Sequence, residues 1–369
     1  MKTKIKRFDI YIFLITLFKG FGAESNNIGY IVAFLFGCFV LFGKISKEHY
    51  SKKEIISMFF IVTVGLLDLI FGHTTTILFT AIALCGMKNV DFDHIIKIVL
   101  WTRVFTFFTL MFASITGIIS NEILPFWRNG SIINRYSFGY DHPNMAQAAL
   151  TIIIILLLYL YGSKFHIWDY LLLIIIDYAL YRFTFSRTGF MIGVICIFLD
   201  FIIKNSKCRN IIMKALRYSY WIFLIMTFVV GILYTKVPAL SRLDVIFSGR
   251  IQYISVLLKS GFPQLIGSSK YNSLVNFDNG YISLLYQGGI LAFLWITYYI
   301  TKAYKKAYNE EKYKQYFLIF DFFLYAMTES FFMSIAVNIS LLFIGNVLFK
   351  EKSLKQNSRG QPKNKEHDK

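Results

Sequence analysis

Apolar residues run through this chain in blocks of about 15–20, separated by short polar gaps, and blocks of that kind read as helices crossing a bilayer core. The pattern predicts twelve spans, at about 8–21, 28–43, 54–71, 74–87, 96–118, 145–161, 167–185, 188–203, 218–235, 280–300, 316–333 and 335–349. The fourth and the last are short for a hydrocarbon core of ~30 Å, which marks them for a tilt, a re-entrant path or a different reading. The expected fold class is all-α: a polytopic integral membrane protein of about 12 transmembrane helices, one domain over 1–350. Residues 351–369 (EKSLKQNSRGQPKNKEHDK) are polar and non-periodic, and are expected to form a disordered basic cytoplasmic tail.

Most connections are short, but two are long, at about 119–144 and 236–279, and long connections in a compact protein are usually functional. Both are rich in Arg, Asp, Asn, Gly and Tyr. Within the second, GRIQYISVLLKS places Ile251, Ile254, Leu257 and Leu258 at helical spacing and predicts a short amphipathic helix lying on the outer membrane surface.

Composition agrees with a membrane protein. Hydrophobic residues make up 56% of the 369 and charged residues 16%, against about 25% charged in a soluble chain. The net charge of +18 would suggest nucleic acid if it were spread along a groove. It is instead clustered in every second gap: Lys2, Lys4, Lys6 and Arg7; Lys44, Lys47, Lys52 and Lys53; Lys204, Lys207, Arg209, Lys214 and Arg217; Lys302, Lys305, Lys306, Lys312 and Lys314; and the tail from Lys350. That alternation is the positive-inside pattern. It places both termini in the cytoplasm and both long loops outside, and it sets nucleic acid aside. No cysteine pair falls in an outer loop, so no disulfide framework is expected. The start MKTKIKR leads into an apolar run without a small-residue cleavage site, and reads as a retained first helix rather than a signal peptide.

The outer loops hold the candidate chemistry. The first reads ILPFWRNGSIINRYSFGYDHPNMAQ and offers Arg128, Arg135, Tyr140, Asp141, His142 and Asn144. Arginines are scarce in outer loops, and a guanidinium holds phosphate oxygens in a planar fork. DHPN caps the next helix, and His142 beside Asp141 is also a candidate base. The corner FTFSRTGF brings Ser186, Arg187, Thr188 and Gly189, where Arg187 is either functional or a snorkelling interfacial residue. The second loop supplies SRLDVIFSGR, in which Ser248 and Gly249 are candidate caps for the helix opened by Arg250 and the helix start favours an anion. Asp278 and Asn279 precede the tenth span as caps with a candidate second role. Arg103 and Asp177 lie inside spans, where charge is costly and usually paired, and are candidate partners; Glu329 lies near the outer end of its span. Asp91-Phe92-Asp93 has the DxD spacing of metal-holding sugar-nucleotide transferases, but sits in a short inner loop and is read as chance. No Walker loop, HExxH or paired CxxC occurs, so no metal or other cofactor is inferred.

In order, GYDHPN, SRTGF, SGR, the LIG step at Leu265–Gly267, and DNGY leading into LLYQGGI resemble the Wzy-type polysaccharide polymerases and the related O-antigen ligases, over about residues 128–290. Arg128–Gly139 and Arg250–Gly261 also resemble the spacing of arginine and glycine by ten residues seen in some of those outer loops. The resemblance implies a metal-independent membrane glycosyltransferase in the bacterial cytoplasmic membrane. It would join polyprenyl-pyrophosphate-linked oligosaccharide repeat units at the outer face, alongside a flippase and a chain-length regulator as partners. Pyrophosphate is a good leaving group, so the main need is positive charge where negative charge grows. Arg135, Arg187 and Arg250 are the candidates for that clamp, and His142 or Asp278 for orienting or deprotonating the acceptor hydroxyl, with His142 favoured. Arg128, Tyr140, Asn144, Asn279 and Tyr281 are candidate substrate contacts. The alternatives are a ligase of the same class and a lipid-linked oligosaccharide flippase; against the latter, charge gathers in loops rather than at broken helices and no inverted repeat is apparent. A structural scaffold would leave the outer arginines unexplained.

Overall fold

The computed structural model describes residues 6–22, 28–128 and 130–349, with the side chains of Arg128 and Ile246 excepted. The tail 351–369 and the first basic cluster's Lys2 and Lys4 lie outside the described residues. Among the described residues the chain forms α1 (Arg7–Gly20), α2 (Ile28–Ile45), α3 (Lys52–Leu67), α4 (Thr76–Cys85) and α5 (Phe92–Ile115), then a β-hairpin of β1 (Ile123–Arg128) and β2 (Ser131–Tyr136). It continues with α6 (Pro143–Tyr161), α7 (Ile167–Thr184), α8 (Arg187–Ile203), α9 (Ser206–Ala215), α10 (Ser219–Leu233), α11 (Pro238–Ile246) and α12 (Arg250–Lys259). Last come α13 (Gly280–Tyr286), α14 (Gly289–Asn309), α15 (Tyr313–Tyr325) and α16 (Gly345–Leu348).

The fold is mainly helical, and four helical stretches are long and apolar enough to cross a membrane: Ile28–Ile45, Lys52–Gly72, Phe92–Ile115 and Pro143–Lys164. α9 and α10, bent by 44° across a short break, together pass the same test. The other predicted spans meet helices that are shorter, interrupted or more charged, as α7 is with Asp169, Asp177 and Arg182 in its 18 residues. α4 has 10 residues, or ~15 Å at the α-helical rise. The tenth is split at Gln287 and Gly288 into α13 and α14. The second half of α14 carries Lys302, Lys305 and Lys306, which takes that helix out of the apolar pattern.

α6 is apolar on almost every side and is buried accordingly, packed on α5, α7, α8 and α15. Outer helices turn large apolar side chains away from the protein, among them Phe42, Phe59, Phe105, Phe112, Ile175 and Phe198. An apolar exterior of that extent suits lipid rather than water. Close approaches are made by glycine: a Cβ on Gly189 would lie 2.7 Å from Gln147 Cγ, so the SRTGF corner lets α8 seat against α6.

The twelfth predicted span is not a regular α-helix. After α15 the chain runs through 3-10 turns at Phe331–Met333 and Ile339–Ile344 before α16. Polar side chains compete for its backbone: Asn338 Nδ2 donates to the Phe332 carbonyl at 2.9 Å, and Ser340 donates to Asn338 Oδ1 at 2.6 Å. Neighbouring helices satisfy much of the rest. Thr80 of α4 donates to the Met333 carbonyl at 2.8 Å and accepts from the Ile335 N–H at 3.1 Å, while Arg103 of α5 donates to the Ala336 carbonyl. Irregular backbone is tolerated in such a bundle where protein encloses it or a cavity borders it. Such a broken segment bears on the transporter alternative, against which stand the gathering of charge in the loops and the lack of an apparent inverted repeat.

The long connections are structured. The first carries the hairpin, in register from Ile123 opposite Tyr136 to Arg128 opposite Ser131. The second carries α11 and α12. The apolar stripe of α12 is present, but Ile254 and Leu257 are buried against α10 and against Tyr271, Ile282 and Tyr286, with Gly231 of α10 allowing the contact. The expected membrane-surface helix is therefore a protein-packed one. The LIG step is packed too: a Cβ on Gly267 would lie 1.8 Å from Asp68 Oδ1 and 2.1 Å from the Gln287 carbonyl. Gly289, at φ +80, admits the Ile266–Gly267 backbone, so the LIG and QGGI motifs meet each other.

Candidate functional site

Three arginines from separate segments line one small cavity of about 50 Å³: Arg135 from β2, Arg187 from the start of α8 and Arg250 from the start of α12. Each is held differently. Arg135 donates from Nε to the Thr184 carbonyl at 2.8 Å and from Nη2 to Asn144 Oδ1 at 2.5 Å, with Phe126 under its guanidinium at 5.6 Å. Arg250 is 5% exposed; it donates from Nε to the Thr328 carbonyl at 2.9 Å, from Nη1 to the Phe247 carbonyl at 3.3 Å and from Nη2 to Glu329 Oε1 at 3.3 Å. Asp278 Oδ2 stands 4.0 Å from its Nε. Arg187 is half-buried and makes no side-chain hydrogen bond or ion pair among the described residues.

The same cavity is lined by Ser186, the residue before α8, whose hydroxyl is buried and has no partner. A helix start brings free N–H groups and a partial positive charge. With three guanidinium groups and an orphan hydroxyl around it, this corner has the chemistry of an anion site. The sequence places Ser186 in the corner but gives no sign that its hydroxyl is left unbonded.

The expected anion site at the start of α12 is filled by the protein itself. Asp244, 4% exposed, accepts from the Ile251 N–H at 2.7 Å and the Gln252 N–H at 3.2 Å. Ser248 and Gly249 do not cap through side chains; both have positive φ and turn the chain into the helix. The free helix start is thus that of α8.

Asn144 and Arg250 join this corner to a larger cavity of about 680 Å³, Asn144 by lining both and Arg250 by its contacts with Glu329 and Asp278. Lys19, Arg103, Tyr140, His142, Asp278, Glu329 and the irregular segment at Ser330 and Phe331 line it. His142 is the cap of α6, as the sequence predicts, but through its ring: Nδ1 accepts from the Asn144 N–H at 3.1 Å. That assigns the ring proton of neutral His142 to Nε2, so the ring serves as a donor rather than a base. Burial, then the Arg135 and Arg250 charges, hold its pKa below the usual histidine value and favour that neutral form. Burial raises Asp278 above the usual carboxylate value, with Arg250 pulling the other way. A carboxylate so placed is more basic than one in water.

Two expected substrate contacts lie elsewhere. Asn279 is 3% exposed and committed as the cap of α13: Oδ1 accepts from the Tyr281 and Ile282 N–H groups, and Nδ2 donates to the Met327 carbonyl at 3.1 Å. Tyr281 is fully buried, with its hydroxyl donating to the Phe323 carbonyl at 2.9 Å. Neither lines the cavity. The side chain of Arg128 lies outside the described residues. Arg103 and Asp177 do not pair; Asp177 accepts from Gln147 Nε2 at 2.6 Å while Arg103 reaches the Ala336 carbonyl. The DxD carboxylates are spent locally: Asp91 caps α5, and Asp93 accepts from the Tyr159 hydroxyl at 2.6 Å. Lys19 lines the cavity from the last turn of α1 and had no signal in the sequence beyond its place near an outer helix end.

Comparison with protein families, with curated proteins and with solved structures finds no match to the chain.

Proposed function

We propose that the protein is a membrane glycosyltransferase that joins polyprenyl-pyrophosphate-linked oligosaccharide repeat units at the outer face of the cytoplasmic membrane, with twelve crossings and both termini cytoplasmic. What carries the reading is the convergence of Arg135, Arg187 and Arg250 with the free start of α8 on one cavity, beside a larger one with room for sugars. In the reaction proposed, the acceptor hydroxyl oxygen bonds to the anomeric carbon of the donor. The bond from that carbon to the pyrophosphate oxygen breaks, and its electron pair leaves with the pyrophosphate. The arginines and the α8 start stabilise the charge that grows there. Asp278 takes the acceptor's proton, and His142 orients a sugar oxygen by donation from Nε2. Tyr140 lines the larger cavity and Asn144 lines both, as candidate substrate contacts.

A second reading draws on the irregular segment that borders the large cavity. Broken helices line the substrate sites of many transporters, so a lipid-linked oligosaccharide transporter would also use a cavity of this kind. Deletion of the protein in its host, followed by analysis of lipid-linked sugars, separates the readings. Single repeat units on lipid at the outer leaflet, with long surface polysaccharide lost, are the expected result. Polymerised chains held on lipid would mean a ligase, and single units held at the inner leaflet a transporter.

A further inference from the structure

We infer that the wall of the large cavity at Arg103 binds a second anionic group, a phosphate or a carboxylate, apart from the one assigned to the three-arginine corner. Arg103 lies inside α5 and is 6% exposed. One nitrogen donates to the Ala336 carbonyl, its Nε has no partner, and no carboxylate of the described residues lies within ion-pair distance of it. Yet it lines the cavity. A buried guanidinium without a counter-charge costs several kcal/mol, the more so within a membrane helix.

A bland explanation is that Arg103 is a strut for the irregular segment. That role uses the bond to Ala336, which Gln could make, and leaves the Nε orphaned and the charge unbalanced. The two carboxylates of the cavity do not balance it, because Glu329 bonds Arg250 and Asp278 faces Arg250 as well. No carboxylate of the described residues balances it, and the anion of a ligand would. Lys19, itself partnered, lines the same wall. It also lines an adjoining cavity of about 220 Å³ that shares Ser330 and Phe331, so the anion's carrier has space to extend away from the three-arginine corner.

The anion has two sources under the proposed function, on which the identity of its carrier rests: the phosphate of a second lipid-linked molecule, or an acidic sugar. Binding to the purified full-length protein in detergent distinguishes them, with farnesyl pyrophosphate and a glucuronate-containing disaccharide as probes and R103Q as the variant. Two farnesyl pyrophosphates per chain in the wild type and one in R103Q assign the site to a lipid phosphate. One in each, with the acidic disaccharide bound roughly ten-fold or more weakly by R103Q, assigns it to a sugar carboxylate. R103K is expected to recover part of whichever binding is lost. Unchanged stoichiometry and affinity for both probes in R103Q would overturn the inference. R103M keeps it open to refutation by stability: ligand-free R103M should melt at or above the wild type, since a lone buried cation is gone. A lower melting temperature with unchanged binding of both probes would make Arg103 a strut and nothing more. No readout here uses transfer activity, so failure of this site and failure of the glycosyltransferase assignment are told apart.

Discussion

Replacing Arg250 by Lys tests the arginine corner with the charge kept. The guanidinium holds three acceptors at once, the carbonyls of Thr328 and Phe247 and the Glu329 carboxylate, while still lining the small cavity. A lysine brings one nitrogen and no planar fork, so it satisfies the nearest acceptors or faces the cavity, not both. Losing one preorganised donor aimed at developing charge costs about 2.7–4 kcal/mol of barrier, or about 10²–10³ in rate. Each neutral acceptor left buried and unpaired costs about 1–3 kcal/mol of stability. The assay is twofold: melting of the purified protein, and transfer between lipid-linked oligosaccharides in proteoliposomes under single-turnover conditions. R250K is expected to remain folded, to melt at a lower temperature, and to lose most of its rate. A rate within a few-fold of wild type would remove Arg250 from the reacting site and leave it a strut between α12 and Thr328 and Glu329 beyond α15.

Asn279→Ala should lower stability by about 1–2 kcal/mol through the lost cap of α13 while the rate per folded molecule stays unchanged; a selective rate loss would return Asn279 to the substrate site. Gly267→Ala puts a carbon against Asp68 and the Gln287 carbonyl and should cost about 1–3 kcal/mol, read as a fall in melting temperature or in accumulation of the protein. His142 has a folded pKa below its ordinary 6.5, so acid is taken up more readily by the unfolded chain and stability should fall as pH drops below about 6.5, with no effect of this group above it. Melting followed against pH should lose that slope in H142N, since Asn keeps the cap without the titration; an unchanged slope would place its origin elsewhere. Chelators should leave transfer intact; loss of activity restored by an added divalent metal would require a different mechanism.

Much of the helical fold was legible because apolar blocks are long and their breaks polar. α2, α3, α5 and α6 fall where the pattern put them. The irregular 331–344 segment was not, because its apolar run hides Asn338 and Ser340, whose side chains redirect the backbone only once neighbouring helices supply Thr80 and Arg103. The hairpin was missed although Asn129-Gly130 between ILPFWR and SIINRY carries a turn signal. At the site, the choice of Arg135, Arg187 and Arg250 rested on their outer placement, and the three do share a cavity. Their geometry could not be read from the chain, since it depends on a hairpin, a helix start and a distant carboxylate meeting. His142 was legible as a cap but not as a donor, because its tautomer follows from one contact, Nδ1 to the Asn144 N–H. Asp244, six residues before Arg250, takes the helix start that had been assigned to a ligand.

The most direct test of the central claim uses purified protein in liposomes, supplied with polyprenyl-pyrophosphate-linked repeat units of its host. The expected result is elongation of the oligosaccharide with one polyprenyl pyrophosphate released per bond formed, abolished when Arg135, Arg187 and Arg250 are replaced together by Gln in a variant that still melts cooperatively. Movement of intact units between leaflets with no elongation, or elongation that survives loss of the three arginines, would contradict it.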